Sequence, residues 1–399
     1  MNIFGKIGCR IFQKVMYCAM PLLPWRTPEL IPGGIEALPA FMTSKGINNT
    51  ILITDKGIRS LGLTDGLLDG LKKANIKCVV FDDTVPNPTI DNIEAALKIY
   101  KENDCQAIIA FGGGSSIDCS KGVGARLARP KKPVQKMKGV LKILKSTPPI
   151  FAIPTTSGTG SEATLAAVIS DSSTHEKYPI NDPNLIPRYA VLDPKITLKL
   201  PPHITSTTGM DALTHAVEAY IGSSNTKETK EMAIKATQII FKYLKRAYDN
   251  GADLEAREQM QLAAYYAGIA FTRAYVGYVH SVAHSLGGMY GVPHGLANAV
   301  ILPYFLDEYG KSAWKKLAQL AEAVNISGNS DEEKAKAFIQ AVKDLNASMN
   351  IPNKIEGKIK EEDIPLLSLR ASQEGNPLYP VPKLMDKDEL AKMYYKIKG

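Results

Sequence analysis

Cysteine is scarce in this 399-residue sequence, and the spacing of its cysteines argues against a fold stabilised by disulfides or by thiolate-bound zinc. The five cysteines are scattered along the chain, and none of them forms a Cys-x-x-Cys pair. An odd, scattered set of thiols argues against a disulfide framework and against a thiolate zinc site, and it suits a reducing cytosol. Apolar runs also stay below the ~20 residues that a membrane-spanning helix needs. The sequence therefore predicts a cytoplasmic protein.

Acidic residues are missing from one long stretch of a chain whose formal net charge is +8. No Asp or Glu occurs between Asp118 and Glu162, while lysines and arginines crowd the same region. Aromatic residues are not interleaved with these basic residues, so a solvated surface is favoured over a nucleic-acid interface. No nucleic-acid partner is expected.

Histidines are also few, and four of the six fall in two short stretches. Asp211 and His215 lie four residues apart in a run of helical apolar spacing, so they project from one face of a helix. A carboxylate and an imidazole on one face form half of a divalent-metal site, although a solvated Asp–His pair is the ordinary alternative. The second stretch holds His280, His284 and His294, and this second half favours the metal.

The first 26 residues form a basic and amphipathic extension. Lys6, Arg10 and Lys14 recur every four residues, with Ile, Phe and Val between them. A signal peptide fits poorly, because Lys14 interrupts the apolar part and no small-residue cleavage site follows. A helix on a membrane surface is one interpretation. An arm that packs on its own subunit or on a partner subunit is favoured, and no membrane partner is expected.

Apolar, β-rich runs alternate with helical stretches in the first half of the chain. The runs are 51–54, 78–81, 107–111, 150–153 and 189–192, and the early helices are 57–74, 89–101 and 115–127. Such alternation predicts a mostly parallel sheet covered by helices. Beyond residue 202 helical periodicity dominates, so the fold class is an α/β domain followed by an all-α domain. The predicted divisions are the extension 1–26, the α/β domain 27–200 and the helical domain 201–399.

Two loops in the α/β half have the composition of nucleotide-binding loops. The first, Gly112-Gly113-Gly114-Ser115, follows a strand and opens a helix, where backbone N–H groups and the helix terminus favour a diphosphate. Its spacing is not the ordinary G-x-G-x-x-G, and a tight strand–helix turn is the alternative. The second loop, 154–162, is rich in hydroxyl groups and glycine, which suits phosphate and ribose, although a plain polar loop has the same composition.

Two further polar residues follow predicted strands. Asp55 ends the first clear strand, where a carboxylate can hold the hydroxyl pair of a ribose. It can equally cap the next helix. Asn87 lies in a Val-Pro-Asn-Pro-Thr loop after the second strand, which can place its amide at the same crevice.

Taken together, these motifs resemble those of the iron-containing, or group III, alcohol dehydrogenase family. The matching stretches follow the family's order and are 54–56, 85–89, 112–115 with Asp118 and Lys121, 154–162, 209–216, and 280–284 leading to 293–295. The resemblance implies an N-terminal dinucleotide-binding α/β domain and a C-terminal all-helical domain, an architecture shared with dehydroquinate synthase. It also implies a cofactor and a metal in the cleft between the domains, and a homodimer or higher homo-oligomer.

The resemblance assigns roles to individual residues. It implies His284 as a proton relay close to the metal and the nicotinamide, although the sequence itself does not separate His284 from His294 as the fourth metal ligand. His175 and His203 match no ligand position. The implied metal ligands are Asp211, His215, His280 and His294. The residues implied to contact NAD are Asp55, Asn87, Gly113, Gly114, Ser115, Asp118, Thr155, Thr156, Thr159 and Lys177. Three imidazoles and one carboxylate suit Fe(II), and Zn(II) would also bind.

The implied function is a metal-dependent, NAD-linked alcohol dehydrogenase. It would transfer hydride reversibly between a primary alcohol, or a diol, and its aldehyde, with the metal lowering the pKa of the alcohol. One alternative is an NAD-using lyase-type enzyme resembling dehydroquinate synthase, whose metal site has a Glu and two His. Another is a non-catalytic metal- or nucleotide-binding protein, against which the retention of all four candidate ligands argues. The sequence departs from the family's pattern in its N-terminal ~25 residues and at residues 376–383.

Overall fold

The computed structural model describes residues 1–172 and 176–399. The chain divides into two compact units, one of residues 23–199 and one that combines residues 1–22 with residues 200–399. They are called the α/β unit and the helical unit below. None of the helices described is both long enough and apolar enough to cross a membrane.

The described residues form nine β-strands, fifteen α-helices and six short 3₁₀ helices. The helices are α1 (Ile3–Ala19), α2 (Gly34–Ser44), α3 (Lys56–Ser60), α4 (Asp65–Lys73), α5 (Ile90–Glu102), α6 (Gly114–Ala128), α7 (Pro202–Ile221), α8 (Lys227–Asp249), α9 (Leu254–Ala274), α10 (Tyr278–Tyr290), α11 (His294–Tyr309), α12 (Lys311–Ala323), α13 (Asp331–Ser348), α14 (Ile364–Gly375) and α15 (Lys387–Ile397). The strands are β1 (Glu29–Leu30), β2 (Asn49–Ile53), β3 (Lys77–Phe81), β4 (Ala107–Gly112), β5 (Gly139–Val140), β6 (Ile150–Pro154), β7 (Ala166–Asp171), β8 (Glu176–Asn181) and β9 (Tyr189–Ala190). The 3₁₀ helices are Met20–Leu22, Val134–Met137, Ser161–Ala163, Pro183–Leu185, Pro194–Thr197 and Glu361–Asp363.

Six parallel strands form the central sheet of the α/β unit, in the order β1-β9-β6-β4-β2-β3. The register places Ile51 of β2 opposite Ile108 of β4. Strand β4 is buried throughout, and its side chains alternate between two apolar cores. Ile108 and Ala110 pack in one core, and Ile109 and Phe111 pack in the other. A continuous apolar run is what a parallel strand covered on both faces requires.

The predicted parallel sheet is confirmed, with the predicted runs corresponding to β2, β3, β4, β6 and β9. The single helix predicted over 57–74 is wrong. The structure has two helices there, α3 and α4, and Gly62 in the turn between them has a φ of +68°. A positive φ interrupts a right-handed helix. A second sheet, β5-β8-β7, with β7 and β8 antiparallel, lies outside the sequence prediction.

Helix α7 is a buried helix of the helical unit. It starts at Pro202, where the missing N–H of proline costs no helical hydrogen bond. Every residue from 209 to 221 is buried. A Cβ at Gly209 would collide with the side chain of Leu244 on α8, so this glycine allows the close approach of the two helices. The buried part of α7 carries Asp211 and His215.

Helix α1 belongs to the helical unit and is attached to it by hydrogen bonds from two side chains. Arg10 donates to two carbonyl groups of the segment 376–383, at 2.8 and 3.1 Å. Gln13, which is buried, donates to two more carbonyl groups of the same segment, at 3.0 and 2.8 Å. The two stretches at which the sequence departs from the family's pattern therefore contact each other.

Candidate metal centre and cofactor site

Three helices of the helical unit bring four metal-ligating side chains together. Asp211 and His215 project from α7 one turn apart, His280 comes from α10, and His294 is the first residue of α11. One ligand atom from each side chain lies within 4.8 Å of the others. The structure therefore gathers the four side chains that the sequence singled out as metal ligands.

The ligand group is mostly shielded from water. Asp211, His215 and His280 are buried, whereas the His294 side chain is 31 % exposed. Burial, with a smaller contribution from the neighbouring histidines, lowers the pKa of His280 well below its ordinary value. His280 is therefore neutral at physiological pH, and the neutral imidazole is the form that binds a metal.

The side chain of Asn298 lies where the ligand atoms converge. Its Nδ2 is 2.6 Å from Oδ1 of Asp211, 3.2 Å from Nε2 of His280 and 3.1 Å from Nε2 of His294. An amide nitrogen has two hydrogens, so it does not satisfy three acceptors. A cation does, and a set of imidazoles with one carboxylate suits divalent iron or zinc. The residues present therefore fit a metal ion.

Glu218, three residues beyond His215 on α7, orients His280. Its Oε2 is 2.5 Å from Nδ1 of His280, and its Oε1 accepts a hydrogen bond from the backbone N–H of Val279 at 2.9 Å. A carboxylate on Nδ1 leaves Nε2 of His280 directed to the ligand group. Burial raises the pKa of Glu218 to about 8, and the backbone N–H groups of residues 277, 279 and 280 oppose this shift. A bound dication would stabilise the carboxylate form further.

His284 lies one turn along α10 from His280, and its imidazole has a different partner. Its Nδ1 is 2.7 Å from Oε1 of Glu374, and Tyr379 donates to the same oxygen at 2.8 Å. The ring of His284 stacks on that of His294, with 5.0 Å between the ring centroids. His284 therefore borders the ligand group with one nitrogen held by a carboxylate.

The two remaining histidines take no described part in this group. His203 is exposed in the first turn of α7. His175 lies outside the residues that the structure describes.

Sequence reasoning missed three partners of the site. Asn298 lies four residues after His294, and Glu218 lies three residues after His215, so helical spacing was a usable signal for both. Glu374 is 90 residues from its partner His284, and no local spacing marks it.

In the α/β unit, the loops after four neighbouring strands carry most of the residues predicted to contact NAD. Asp55 follows β2, Asn87 follows β3, Gly113 follows β4 and Thr155 follows β6. These strands are parallel and adjacent in the order β3-β2-β4-β6, so their loops share the carboxyl edge of the sheet. Nucleotides bind at this edge in open α/β sheets.

The glycine loop and the hydroxyl-rich loop face each other. Gly113 caps α6, and its lack of a side chain leaves the first N–H groups of the helix accessible to an anion. A Cβ at Gly113 would lie 3.7 Å from Thr156, and a Cβ at Gly114 would lie 3.0 Å from Thr159. The two loops therefore approach each other closely at Gly114, and contact of either loop with a diphosphate stays a prediction.

Asp118 and Lys121 on α6 hold the hydroxyl-rich loop in place. Asp118 accepts hydrogen bonds from the Ser161 hydroxyl at 2.6 Å and from the backbone N–H of Val168 at 2.9 Å. Lys121 is fully buried and donates to the hydroxyls of Ser161 and Thr164, both at 2.9 Å. Burial raises the pKa of Asp118 and lowers that of Lys121 to about 8. Contact between Asp118 and NAD stays a prediction.

Asp55 caps helix α3, because its Oδ1 accepts a hydrogen bond from the backbone N–H of Ile58 at 2.9 Å. Contact of its other oxygen with a ribose stays a prediction.

Lys177 of β8 donates to the side-chain oxygen of Asn87 at 2.6 Å, and the backbone N–H of Asn87 donates to the Ser115 hydroxyl at 3.2 Å. Asn87 has a φ of +57°, a conformation that asparagine tolerates. These three residues form one connected polar group.

Family models match both parts of the chain. Residues 30–194 match the model of iron-containing alcohol dehydrogenase, and residues 205–397 match the C-terminal model of the Fe-containing alcohol dehydrogenase family. Together the two matches cover well over half of the sequence.

Individual relatives agree with the family models. The 1,3-propanediol dehydrogenase of Citrobacter freundii is 37 % identical over 368 residues, which cover 91 % of this chain and 95 % of the relative. The NAD-dependent methanol dehydrogenase of Bacillus methanolicus is 35 % identical over 345 residues, which cover 86 % and 90 %. A solved alcohol dehydrogenase from Oenococcus oeni superimposes with a TM-score of 0.89 at 33 % identity, covering 94 % of this chain and all of the other. The chain therefore belongs to the iron-containing alcohol dehydrogenase family.

Proposed function

We propose that the protein is a metal-dependent, NAD-linked alcohol dehydrogenase that interconverts a primary alcohol, or a diol, with its aldehyde. The observation that carries the proposal is the convergence of Asp211, His215, His280 and His294, whose ligand atoms lie within 4.8 Å of one another. Membership of the family supports the reaction class. The relatives named for 1,3-propanediol and for methanol support small primary alcohols as the substrate class.

The proposed metal is Fe(II), and Zn(II) fits the same set of ligands. When bound, such a metal would lower the pKa of an alcohol hydroxyl, and NAD would supply the hydride acceptor. The chain's own residues keep the ligands neutral and oriented. Burial keeps His280 uncharged. With a dication bound, Glu218 as a carboxylate would hold the proton of that imidazole on Nδ1.

Replacing Glu218 with glutamine is expected to weaken metal binding by roughly 10- to 100-fold, the usual effect of losing a partner of a metal-bound histidine. The glutamine carbonyl can accept from Nδ1–H of His280 or from the backbone N–H of Val279, and the other donor then meets an NH₂ group. Metal content measured at graded chelator concentrations reports the change. The matched control is Glu374→Gln, which alters the partner of His284 and should retain its metal. Unchanged metal affinity in Glu218→Gln would show that His280 does not depend on this carboxylate.

The proton released by the alcohol needs an acceptor, and we assign that role to His284. Glu374 accepts the hydrogen bond from Nδ1–H, which leaves Nε2 of His284 as the basic nitrogen. Tyr379 donates to the same oxygen of Glu374 and so fixes the carboxylate. Glu374 and Tyr379 are therefore positioning residues that act through the imidazole.

NAD is the proposed dinucleotide, and Asp55 is proposed to set the preference over NADP. A carboxylate at the adenine ribose would face the 2′-phosphate of NADP. Two unit charges 4 Å apart repel by about 4 kcal/mol at an effective dielectric of 20. We therefore expect NAD to be preferred by at least about tenfold in kcat/KM, which corresponds to ~1.4 kcal/mol.

Because Asp55 caps α3, the informative substitution is Asp55→Asn. Asparagine caps a helix about as well as aspartate, so this change removes the charge and keeps the cap. The ratio of NAD to NADP use should narrow, chiefly through better use of NADP, and steady-state kinetics with both cofactors measures it. Equal use of NADP by the unmodified enzyme would show that Asp55 serves only as a helix cap.

We propose a homodimer or higher homo-oligomer that acts on small alcohols and aldehydes, without a nucleic-acid partner. A cytosolic location fits the five unpaired thiols. The divisions at 1–26, 27–200 and 201–399 are proposed as functional domains.

The proposed function is tested by assaying the metal-reconstituted protein with NAD and a panel of linear primary alcohols and diols. Net formation of NADH from at least one simple alcohol is expected, and it also separates a dehydrogenase from a lyase that uses NAD only transiently. Separate reconstitution with Fe(II) and with Zn(II) identifies the metal that supports turnover. The proposal is wrong if no alcohol yields NADH and no aldehyde consumes it with either metal.

A further inference from the structure

Helix α1 presents an apolar stripe to the solvent. Phe4, Ile7, Ile11 and Val15 recur three or four residues apart, and their side chains are 80, 50, 60 and 60 % exposed. On a helix about 25 Å long, such positions lie along one face. The opposite face contains the buried Gln13 and makes the hydrogen bonds that attach α1 to the helical unit.

This arrangement inverts the usual orientation of an amphipathic helix on a protein. Such a helix ordinarily turns its apolar face to the core, because burial of apolar surface stabilises the folded state. Here the attached face makes hydrogen bonds through Arg10 and Gln13 and packs Cys9 on the apolar core, whereas the larger apolar side chains face solvent. Phe4 is among the most exposed large apolar side chains described. A contiguous apolar stripe of this kind marks a surface that contacts a membrane or another protein.

The charges around the stripe favour a membrane over another protein. A groove of about 460 Å³ runs beside the stripe and is lined by Lys6 and Lys14 together with aliphatic side chains. Arg10 and Lys383 also line it, but Arg10 donates to carbonyl groups of the segment 376–383 and Lys383 pairs with Glu308 at 2.8 Å. No carboxylate is among the described residues that line this groove. The sequence has no acidic residue from position 1 to position 28. Apolar side chains flanked by lysines and arginines are complementary to an anionic bilayer.

A second copy of this chain fits the stripe less well. A two-fold contact through α1 would place the same surface of both protomers face to face. Lys6 and Lys14 of one protomer would then approach the same lysines of its partner, and like charges placed in this way oppose association. An anionic lipid surface gives each of these lysines a counter-charge.

We propose that α1 is a membrane-surface anchor that binds anionic phospholipid bilayers. The apolar stripe lies among the acyl chains just below the headgroups, and Lys6 and Lys14 contact lipid phosphates. The helix lies in the plane of the interface, with its polar face still attached to the segment 376–383. This inference goes beyond the dehydrogenase activity, since it concerns where the enzyme works, and it replaces the expectation from the sequence that the protein has no membrane partner.

The test is sedimentation of the full-length protein with vesicles of phosphatidylcholine alone and with vesicles that also contain phosphatidylglycerol. The unmodified protein should sediment with the anionic vesicles, and added salt should release it. The double variant Ile7→Asp, Ile11→Asp should bind at least about tenfold more weakly. The control is Leu254→Asp, in the first turn of α9, where an exposed leucine outside α1 is replaced by an acid that a helix N-terminus tolerates. This control should bind the vesicles as the unmodified protein does.

Lys14→Glu should reduce the preference for anionic over zwitterionic vesicles. All of these variants should keep their turnover, which verifies that they are folded and separates this test from that of the proposed function. Absence of vesicle binding by the unmodified protein, or equal binding by the Ile7→Asp, Ile11→Asp variant, overturns the proposal. A lower mass of that double variant by light scattering, without vesicle binding by the unmodified protein, would show that the stripe pairs two copies.

Discussion

Alanine in place of His280 or His215 is expected to abolish turnover and to remove the bound metal at the same time. The ligand atoms of the four side chains lie within 4.8 Å of one another, so each imidazole fills one of few positions around a shared ion. Loss of a residue that hydrogen-bonds to a metal ligand already lowers metal affinity roughly 10- to 100-fold, so loss of a ligand itself should lower it more. Asp211→Ala should have the same effect, because it removes the only carboxylate of the group.

Metal analysis of purified, dialysed protein and steady-state kinetics together measure this effect. His203→Ala is the matched control, since His203 lies on the same helix as His215 and is exposed. This control should keep both metal and turnover. If His215→Ala and His280→Ala retained stoichiometric iron or zinc, the assignment of the metal centre would be refuted.

Alanine in place of His284 is expected to leave the metal bound and to lower kcat by roughly 100-fold or more, the usual contribution of a general acid–base group. The imidazole is held by Glu374 at 2.7 Å and does not belong to the group of four ligands. The limb of the pH profile that reports the base should change, and added imidazole should restore part of the rate. Glu374→Gln should lower kcat less, since it alters the position of the ring and leaves the imidazole in place.

A comparison with His294→Ala separates the two roles. His284 and His294 have stacked rings, so activity alone does not distinguish a ligand from a proton relay. Metal content does: His294→Ala should lose its metal and His284→Ala should retain it. The opposite result would mean that the two histidines exchange roles.

Hydrophobic periodicity predicted the strands and helices whose buried residues recur in a regular pattern along the sequence. Strands β2, β3, β4 and β6 are apolar runs because both faces of the sheet are covered, and the alternation with helices follows from parallel pairing. Helices α2 and α11 were harder to see, because each contains an internal proline, Pro39 and Pro303, which ordinarily argues against a helix. The break at Gly62 depends on a backbone conformation that composition alone does not specify.

Some residues of the candidate site were likewise visible from local spacing, and others were not. Asp211 and His215 were visible because a helical repeat places them on one face, and the glycine loop was visible because it follows a strand. Tyr379 and Glu374 come from a part of the chain far from His284 in sequence, and only packing brings them to it. Asp118 was visible as part of the glycine-loop motif, whereas its hydrogen bonds from Ser161 and Val168 were not, because packing alone brings these residues together.

The discontinuity of the helical unit has a consequence for synthesis. Arg10 of α1 finds its first backbone acceptor 371 residues further along the chain. At ribosomal rates of roughly 5 to 20 residues per second, α1 waits roughly 20 to 70 seconds before that acceptor has been translated. Throughout this interval the segment that forms α1 lacks the backbone acceptors of both Arg10 and Gln13. A lipid surface near the ribosome can therefore meet α1 before the rest of the helical unit exists.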